Sequence, residues 1–292
     1  MKKQHIALLP LIGAMGIFGT IGIFVRYIPL PSGFIALSRG IIGAVFLLLV
    51  MLITRKGVNK EAIRKNLPLL LISGGCIGLN WVLLFESYRF TTVATATLCY
   101  YMAPLFVVMA SPLLLKEKLT FKKTMCVLVA LVGMVFVSGV LQTGIHSFAE
   151  LRGILLGLGA ALLYASVVLM NTKIKNIGAY DKTVVQLAAA ATVMIPYCLL
   201  AEHGTSFAIS PTAWILLIVV GVVHTGIAYA LYFGAMQSIP AQTTAIFSYT
   251  DPIIAVILSA TVLKEPFTVY TAVGAVLVLG AALISELPEK RK

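Results

Sequence analysis

Apolar runs about as long as a bilayer is thick recur from one end of this chain to the other. A helix rises about 1.5 Å per residue, so roughly 20 residues cross a hydrocarbon core about 30 Å thick. In lipid every peptide group needs a partner within the protein, so runs of this kind are helical. An outer-membrane barrel would instead show short alternating segments. Only 11% of the 292 residues are charged and 60% are hydrophobic. A soluble chain carries about a quarter charged residues, which it needs to hydrate its surface.

The runs predict spans at residues 6–25, 34–53, 67–88, 91–113 and 121–140, then 151–170, 182–200, 212–235, 241–263 and 268–287. The expected fold is therefore an all-α polytopic membrane protein with ten transmembrane helices. Pro29 and Pro31 punctuate the first joint, and Pro68, Pro211 and Pro240 lie where helices are expected to open. Pro104, Pro196 and Pro252 fall inside spans, where each removes a backbone donor and is expected to kink its helix. The run after Lys2 and Lys3 lacks a small-residue cleavage site and reads as a retained first helix.

The net charge of +12 sits in clusters between the runs. Lys2 and Lys3, the Arg55–Lys65 stretch, Lys116 to Lys123, Lys173 to Lys182 and the Lys290 to Lys292 tail fall on one side. The alternate connections hold only Arg26, Arg89, Arg152 and Lys264. Basic residues are retained in the cytoplasm, so both termini are expected inside, in a multi-pass protein of the cell membrane. This distribution argues against nucleic acid as a partner. Cys76, Cys99, Cys126 and Cys198 all lie in apolar runs without close spacing, so neither disulfides nor a metal site is expected.

The chain also echoes itself at an offset of 148 residues. Tyr101 and Pro104 match Tyr249 and Pro252, and the pair Lys116-Glu117 matches Lys264-Glu265. Thr120 and Phe85 find the same residue types at Thr268 and Phe233. The echo divides the chain into repeats at residues 1–144 and 149–292, each with five spans. An odd number of crossings inserts the second repeat upside down, and the interface of such inverted repeats holds the solute in many transporters.

The stretches YYMAPLFVVMASPLLLKEKLT (residues 100–120) and SYTDPIIAVILSATVLKEPFT (residues 248–268) make the chain resemble the EamA-type members of the drug/metabolite transporter superfamily. The resemblance covers nearly the whole chain. It implies two five-helix units and the movement of amino acids, related metabolites or toxic compounds, mostly by export or exchange. Asp251 and Glu86 depart from the neutral residues more usual at these positions in that family.

Ionisable groups at membrane depth are costly and therefore informative. Asp251, near the middle of the ninth span, is the first candidate, to bind a substrate amine or carry a coupling proton. Arg39 either snorkels to the headgroups or receives an anionic group through its planar fork. Glu86 pairs with Arg89 at i+3 or contacts the solute, and His224 either packs or relays a proton. Asn80, Trp81, Tyr100, Tyr101, Tyr229, Tyr232 and Tyr249 are candidate cavity walls, suited to an organic solute rather than a bare ion. Pro104, Pro252 and the two Lys-Glu pairs are candidates for structural or gating roles. The glycines spaced by three from Gly13 to Gly22 predict close helix packing.

The sequence contains no His-Glu-x-x-His motif and no glycine-rich phosphate loop, which leaves a membrane enzyme little to work with. No cofactor is expected. A passive channel is the other alternative, and the duplication favours alternating access over an open pore.

Overall fold

The computed structural model describes residues 2–55, 57–114, 120–137, 148–204, 209–236 and 247–287. Its regular elements are helices: α1 (Lys2–Arg26), α2 (Ser32–Ile53), α3 (Lys60–Phe90), α4 (Val93–Tyr100), α5 (Ala103–Leu114) and α6 (Phe121–Val137). They continue with α7 (Phe148–Lys173), α8 (Ala179–Ala201) and α9 (Pro211–Gly221). A π-helical turn (Val222–Ile227) leads into α10 (Ala228–Met236), followed by α11 (Thr250–Thr261) and α12 (Val269–Glu286). Among the described residues, seven helical runs are long and apolar enough to cross a bilayer, while α11 and Val269–Ser285 are apolar but shorter.

Several elements depart from the sequence expectation for identifiable reasons. Helix α3 begins at Lys60, a full turn and more before the predicted start. The Asn59 side chain caps it by accepting the Ala62 N–H at 3.0 Å, and Lys65 pairs with Glu61 at 2.7 Å across one turn. Pro68 is thus inside a helix rather than at its start. Pro211 does open α9, behind a Ser210 cap.

The expected fourth span is two helices, separated by a turn at Tyr101 and Met102. Pro104 does not kink a continuous helix; it is the second residue of α5, where a missing N–H costs nothing. Pro252 is likewise the third residue of α11. Tyr101 and Tyr249, each three residues before its proline, share nearly the same backbone conformation (φ −74°, ψ 5° and φ −71°, ψ −6°). Pro196 is the one of the three that sits deep in a helix, α8. Pro240, Lys116, Glu117 and the basic tail lie outside the described residues.

The bundle is apolar outside and selectively polar within. Leu52, Ile53, Leu155, Ile215 and Val276 are exposed, whereas Ser73, Asn80, Ser87, Gln186, His224 and Thr225 are buried. The buried polar groups bond across helices. Ser87 Oγ donates to the Gly153 carbonyl at 2.7 Å, Asn80 Nδ2 to the Ala160 carbonyl, and Gln186 Nε2 to Ser73 Oγ at 2.7 Å. Each such bond is worth roughly 0.6–2 kcal/mol inside a membrane bundle. Backbones approach closely where α3 meets α8: a Cβ on Gly74 would lie 2.5 Å from the Gln186 carbonyl oxygen.

The contacts follow a reciprocal pattern. Helix α3 packs on α7 and α8, while α9, the π-turn and α10 pack on α1 and α2. Helix α1 packs on α11, while α7 packs on α4 and α5. Helix α2 meets α8, α4 meets α11, and α6 meets α12. When the two sequence halves are exchanged, the α3 pairings with α7 and α8 correspond to those of α9 and α10 with α1 and α2, the α1–α11 pairing to α7–α5, and α2–α8 and α6–α12 each to itself.

Candidate functional site

The two interrupted segments face each other where α4 meets α11. Because Pro252 has no N–H, the Ser248 carbonyl four residues earlier lacks its helical donor. Tyr101 Oη lies 3.3 Å from that carbonyl and 2.8 Å from Asp251 Oδ2. A phenol has one proton to give. When Asp251 is ionised, its carboxylate and the Ser248 carbonyl compete for that proton. When Asp251 is protonated it donates to Tyr101, which is then free to donate to Ser248. The order of this small chain therefore depends on the proton that Asp251 holds. The Tyr101 and Tyr249 rings sit 6.0 Å apart beside it.

Helix α1 reaches this point through a glycine. A Cβ on Gly19 would be 2.7 Å from the Asp251 carbonyl oxygen and 2.8 Å from Ile254 Cβ. No larger residue lets the α1 backbone come so near α11.

Arg39 lies on α2 and is 5% exposed. It does not run outward along the lipid. Its Nε donates to Thr225 Oγ1 at 2.8 Å, and its guanidinium carbon lies 4.3 Å from the Trp81 ring centroid and 5.8 Å from that of Phe85. The π-helical turn supplies Thr225, whose hydroxyl in turn donates to the Val220 carbonyl five residues back at 3.2 Å. Helix α2 accommodates that turn at Gly43, where a Cβ would lie 2.3 Å from Thr225 Cγ2. A π-turn displaces side chains from ordinary helical register and often marks a functional site.

His224, in the same turn, is 1% exposed. Its Nε2 is 2.9 Å from Thr20 Oγ1, and its ring stands edge-on to Phe24 at 4.7 Å. The Thr20 hydroxyl is also 2.7 Å from the Ile17 carbonyl, and His224 Nδ1 is 3.4 Å from the Val219 carbonyl, so the tautomer decides which ring nitrogen donates.

Aromatic rings join these groups. Tyr100 packs against both the cluster holding Trp81 and the one holding Tyr249, with ring centroids 6.1 Å from Tyr101 and 5.4 Å from Tyr164. Tyr229 and Tyr232 flank Phe18 at 5.5 and 6.3 Å, and Tyr229 also packs against the Trp81 cluster. Asn80 does not join them through its amide, which is bonded to α7.

The remaining candidates gather at the end of the bundle where α1 stops and α2 and α4 start. A cavity of about 590 Å³ there is lined by Ile28, Pro31, Ser32, Ile35, Phe85 and Tyr88, among others. Its Phe85 wall is the ring beside Arg39. Glu86 Oε2 accepts from Ser32 Oγ at 2.8 Å and Arg89 Nη1 at 3.3 Å. Glu202 caps α2 through the Gly33 and Phe34 N–H groups at 2.9 and 3.0 Å.

Glu265 ties three elements together. Its Oε2 accepts the Val93 N–H at 2.8 Å, opening α4, and also Ser259 Oγ, while Oε1 lies 3.3 Å from Arg26 Nη2 at the end of α1. Lys264 arranges this. Its φ of 55° puts it in the left-handed region at the end of α11, and the Glu265 N–H bonds back to the Ser259 carbonyl at 3.1 Å. A left-handed residue that closes a helix end in this way is usually glycine. Sequence reasoning did not single out Thr225, Thr20, Ser248, Glu202 or Tyr164. The proline four residues on pointed to Ser248; the others act through long-range pairings.

Among the described residues, no group of three His, Cys, Asp or Glu side chains is placed to hold a metal ion.

Comparison with known proteins agrees with this architecture. The chain is 28% identical to the uncharacterized transporter YxxF of Bacillus subtilis over 286 residues, covering 97% of this chain and 90% of that one. It is 26% identical to the uncharacterized transporter YetK of the same organism, covering 100% and 90%. A solved crystal structure aligns over 97% of each chain with a TM-score of 0.67 at 18% identity, which supports the fold. The EamA-like transporter family matches at residues 5–139 and again at 151–286. With both matches spanning nearly all of a multi-pass helical membrane protein, the chain belongs to the EamA-like transporter family.

Proposed function

We propose that this protein is a secondary transporter that carries a small organic, amino acid-like solute across the cell membrane by alternating access, in export or exchange. The observation that carries the reading is the meeting of two interrupted helical segments at Tyr101, Asp251 and Ser248. Broken backbone at membrane depth is tolerated where protein or a cavity surrounds it, and transporters use such breaks to hold solutes. In this reading the solute binds among the rings that lie between Arg39 and Asp251, with Trp81, Tyr100, Tyr101, Tyr229, Tyr232 and Tyr249 as walls of the site. Asp251 receives an amine or a coupling proton.

Ten crossings in two oppositely inserted five-helix repeats, with both termini cytoplasmic, complete the proposal. The reciprocal contact pattern, the matched backbone at Tyr101 and Tyr249, and the distribution of basic residues support it. The Arg26–Glu265–Val93 cluster then lies at the outer face and acts as a gate. The offset of 148 aligns Lys264-Glu265 with Lys116-Glu117, and in the proposal that second pair has the matching role at the inner face. Making one contact while breaking the other is an alternating-access cycle.

The test is solute counterflow in proteoliposomes against a panel of labelled metabolites, with pH and membrane potential varied separately. Saturable exchange accelerated by unlabelled solute on the opposite side supports a carrier. Flux that rises linearly without saturation identifies a channel and refutes the reading.

A further inference from the structure

We propose that the Nη edge of the Arg39 guanidinium is a carboxylate subsite, so that the solute carries a single carboxylate. This rests on the solute site proposed above and names the chemistry of one end of it. Arg39 is 5% exposed, about 10 Å along α2 from Ser32. A charge at such a depth is retained for a partner. Among the described residues, the one hydrogen bond of the guanidinium runs from Nε to Thr225, and no carboxylate lies within 4 Å of it. Asp251, the acidic residue of the solute site, is bonded to Tyr101 instead.

The remaining geometry defines the ligand. The guanidinium carbon lies over the Trp81 ring and the Nε side is held by Thr225. That fixes the plane and leaves Nη1 and Nη2 as a pair of parallel donors. Such a fork matches the two oxygens of a carboxylate. Arg39 is the one fully charged cation of the site; with Asp251 protonated or paired with the solute's amine, one carboxylate balances it, whereas a phosphate dianion would leave a negative charge in an apolar enclosure. Lysine in its place would supply charge without the fork.

Trp81 reports on the subsite. The chain's other tryptophan, Trp214, is on α9 and 43% exposed, so W214F leaves Trp81 beneath Arg39 as the one tryptophan, excited selectively at the red edge of the absorption band. Purified W214F protein in nanodiscs is titrated with leucine, phenylalanine, threonine and pyruvate, each beside its primary amide. The expected result is a saturable Trp81 fluorescence change with at least one acid and at least about thirtyfold weaker binding of its amide, the cost of leaving the charge unpaired. R39K weakens that binding severalfold, and R39Q abolishes the preference for acid over amide. A monodisperse elution profile for each variant separates these effects from misfolding. Amides that bind as well as the acids, or an R39Q variant that keeps the preference, overturn the inference. So does saturable counterflow of amines or neutral solutes alone, which leaves the transport reading standing. Failure of every acid, amide and amine to exchange in counterflow overturns both.

Discussion

Replacing Glu265 by glutamine removes a charge while keeping the shape, and the structure says how much the proposed outer gate should loosen. The glutamine amide still offers an oxygen to the Val93 N–H and to Ser259 Oγ. Two contributions are lost. The carboxylate no longer faces the positive end of α4, an interaction typically worth about 0.3–1 kcal/mol. The ion pair with Arg26 also goes; that side chain is 38% exposed, so solvent screening holds the pair to about 0.2–1 kcal/mol. The contact therefore weakens by about 0.5–2 kcal/mol, which raises the outward-open population roughly two- to thirtyfold. A single cysteine at Val25, which is 6% exposed and lines the adjoining cavity, reads this as its rate of modification by a membrane-impermeant maleimide. E265Q should raise that rate by the stated factor, and a cysteine at Tyr180 on the opposite face should become less reactive. An unchanged rate at Val25, or an equal rise on both faces, refutes the gate.

Other perturbations probe the site itself. D251N should slow counterflow and flatten its dependence on pH, because Asn cannot exchange a proton; full rate with an unaltered pH profile contradicts a role for Asp251. Y101F removes the hydroxyl that serves both Asp251 and Ser248, at a cost of about 1–3 kcal/mol, and should reduce exchange at least about fivefold without altering monodispersity. G19A places a methyl 2.7 Å from a backbone oxygen that cannot simply rotate aside, so it should lower the thermal midpoint and slow exchange, with a cost of about 1–3 kcal/mol. T225V frees Arg39 Nε and should raise KM more than it lowers kcat for a carboxylate solute, while T225S retains both values.

The helical segments were legible in the sequence because membrane thickness imposes a length on each one. What happens inside a segment was only partly legible. Pro104 and Pro252 marked disturbances, but a proline three residues after a tyrosine reads equally well as a kink or as the first turn of a new helix. The early start of α3 was available in Asn59, Glu61 and Lys65, whose capping and pairing extend a helix beyond the apolar run. The π-turn left no such trace: its i−5 spacing is set by packing against α2 at Gly43 rather than by its own residues. For the same reason Arg39 could be singled out by its depth, yet its partner Thr225, 186 residues away, could not. Glu202 lies just beyond the predicted seventh span and is a helix cap for α2, 168 residues from Phe34. Polar residues in membrane helices advertise themselves; whom they meet is decided by tertiary packing.

The account stands or falls on the opposite insertion of its two halves. Single cysteines at Lys116 and Lys264, the matched ends of the fourth and ninth predicted spans, are labelled from outside intact cells with an impermeant maleimide, before and after permeabilisation. Labelling of residue 264 from outside, and of residue 116 only after permeabilisation, is the predicted outcome. If both react from the same side, the halves are not inverted and the alternating gates have no structural basis.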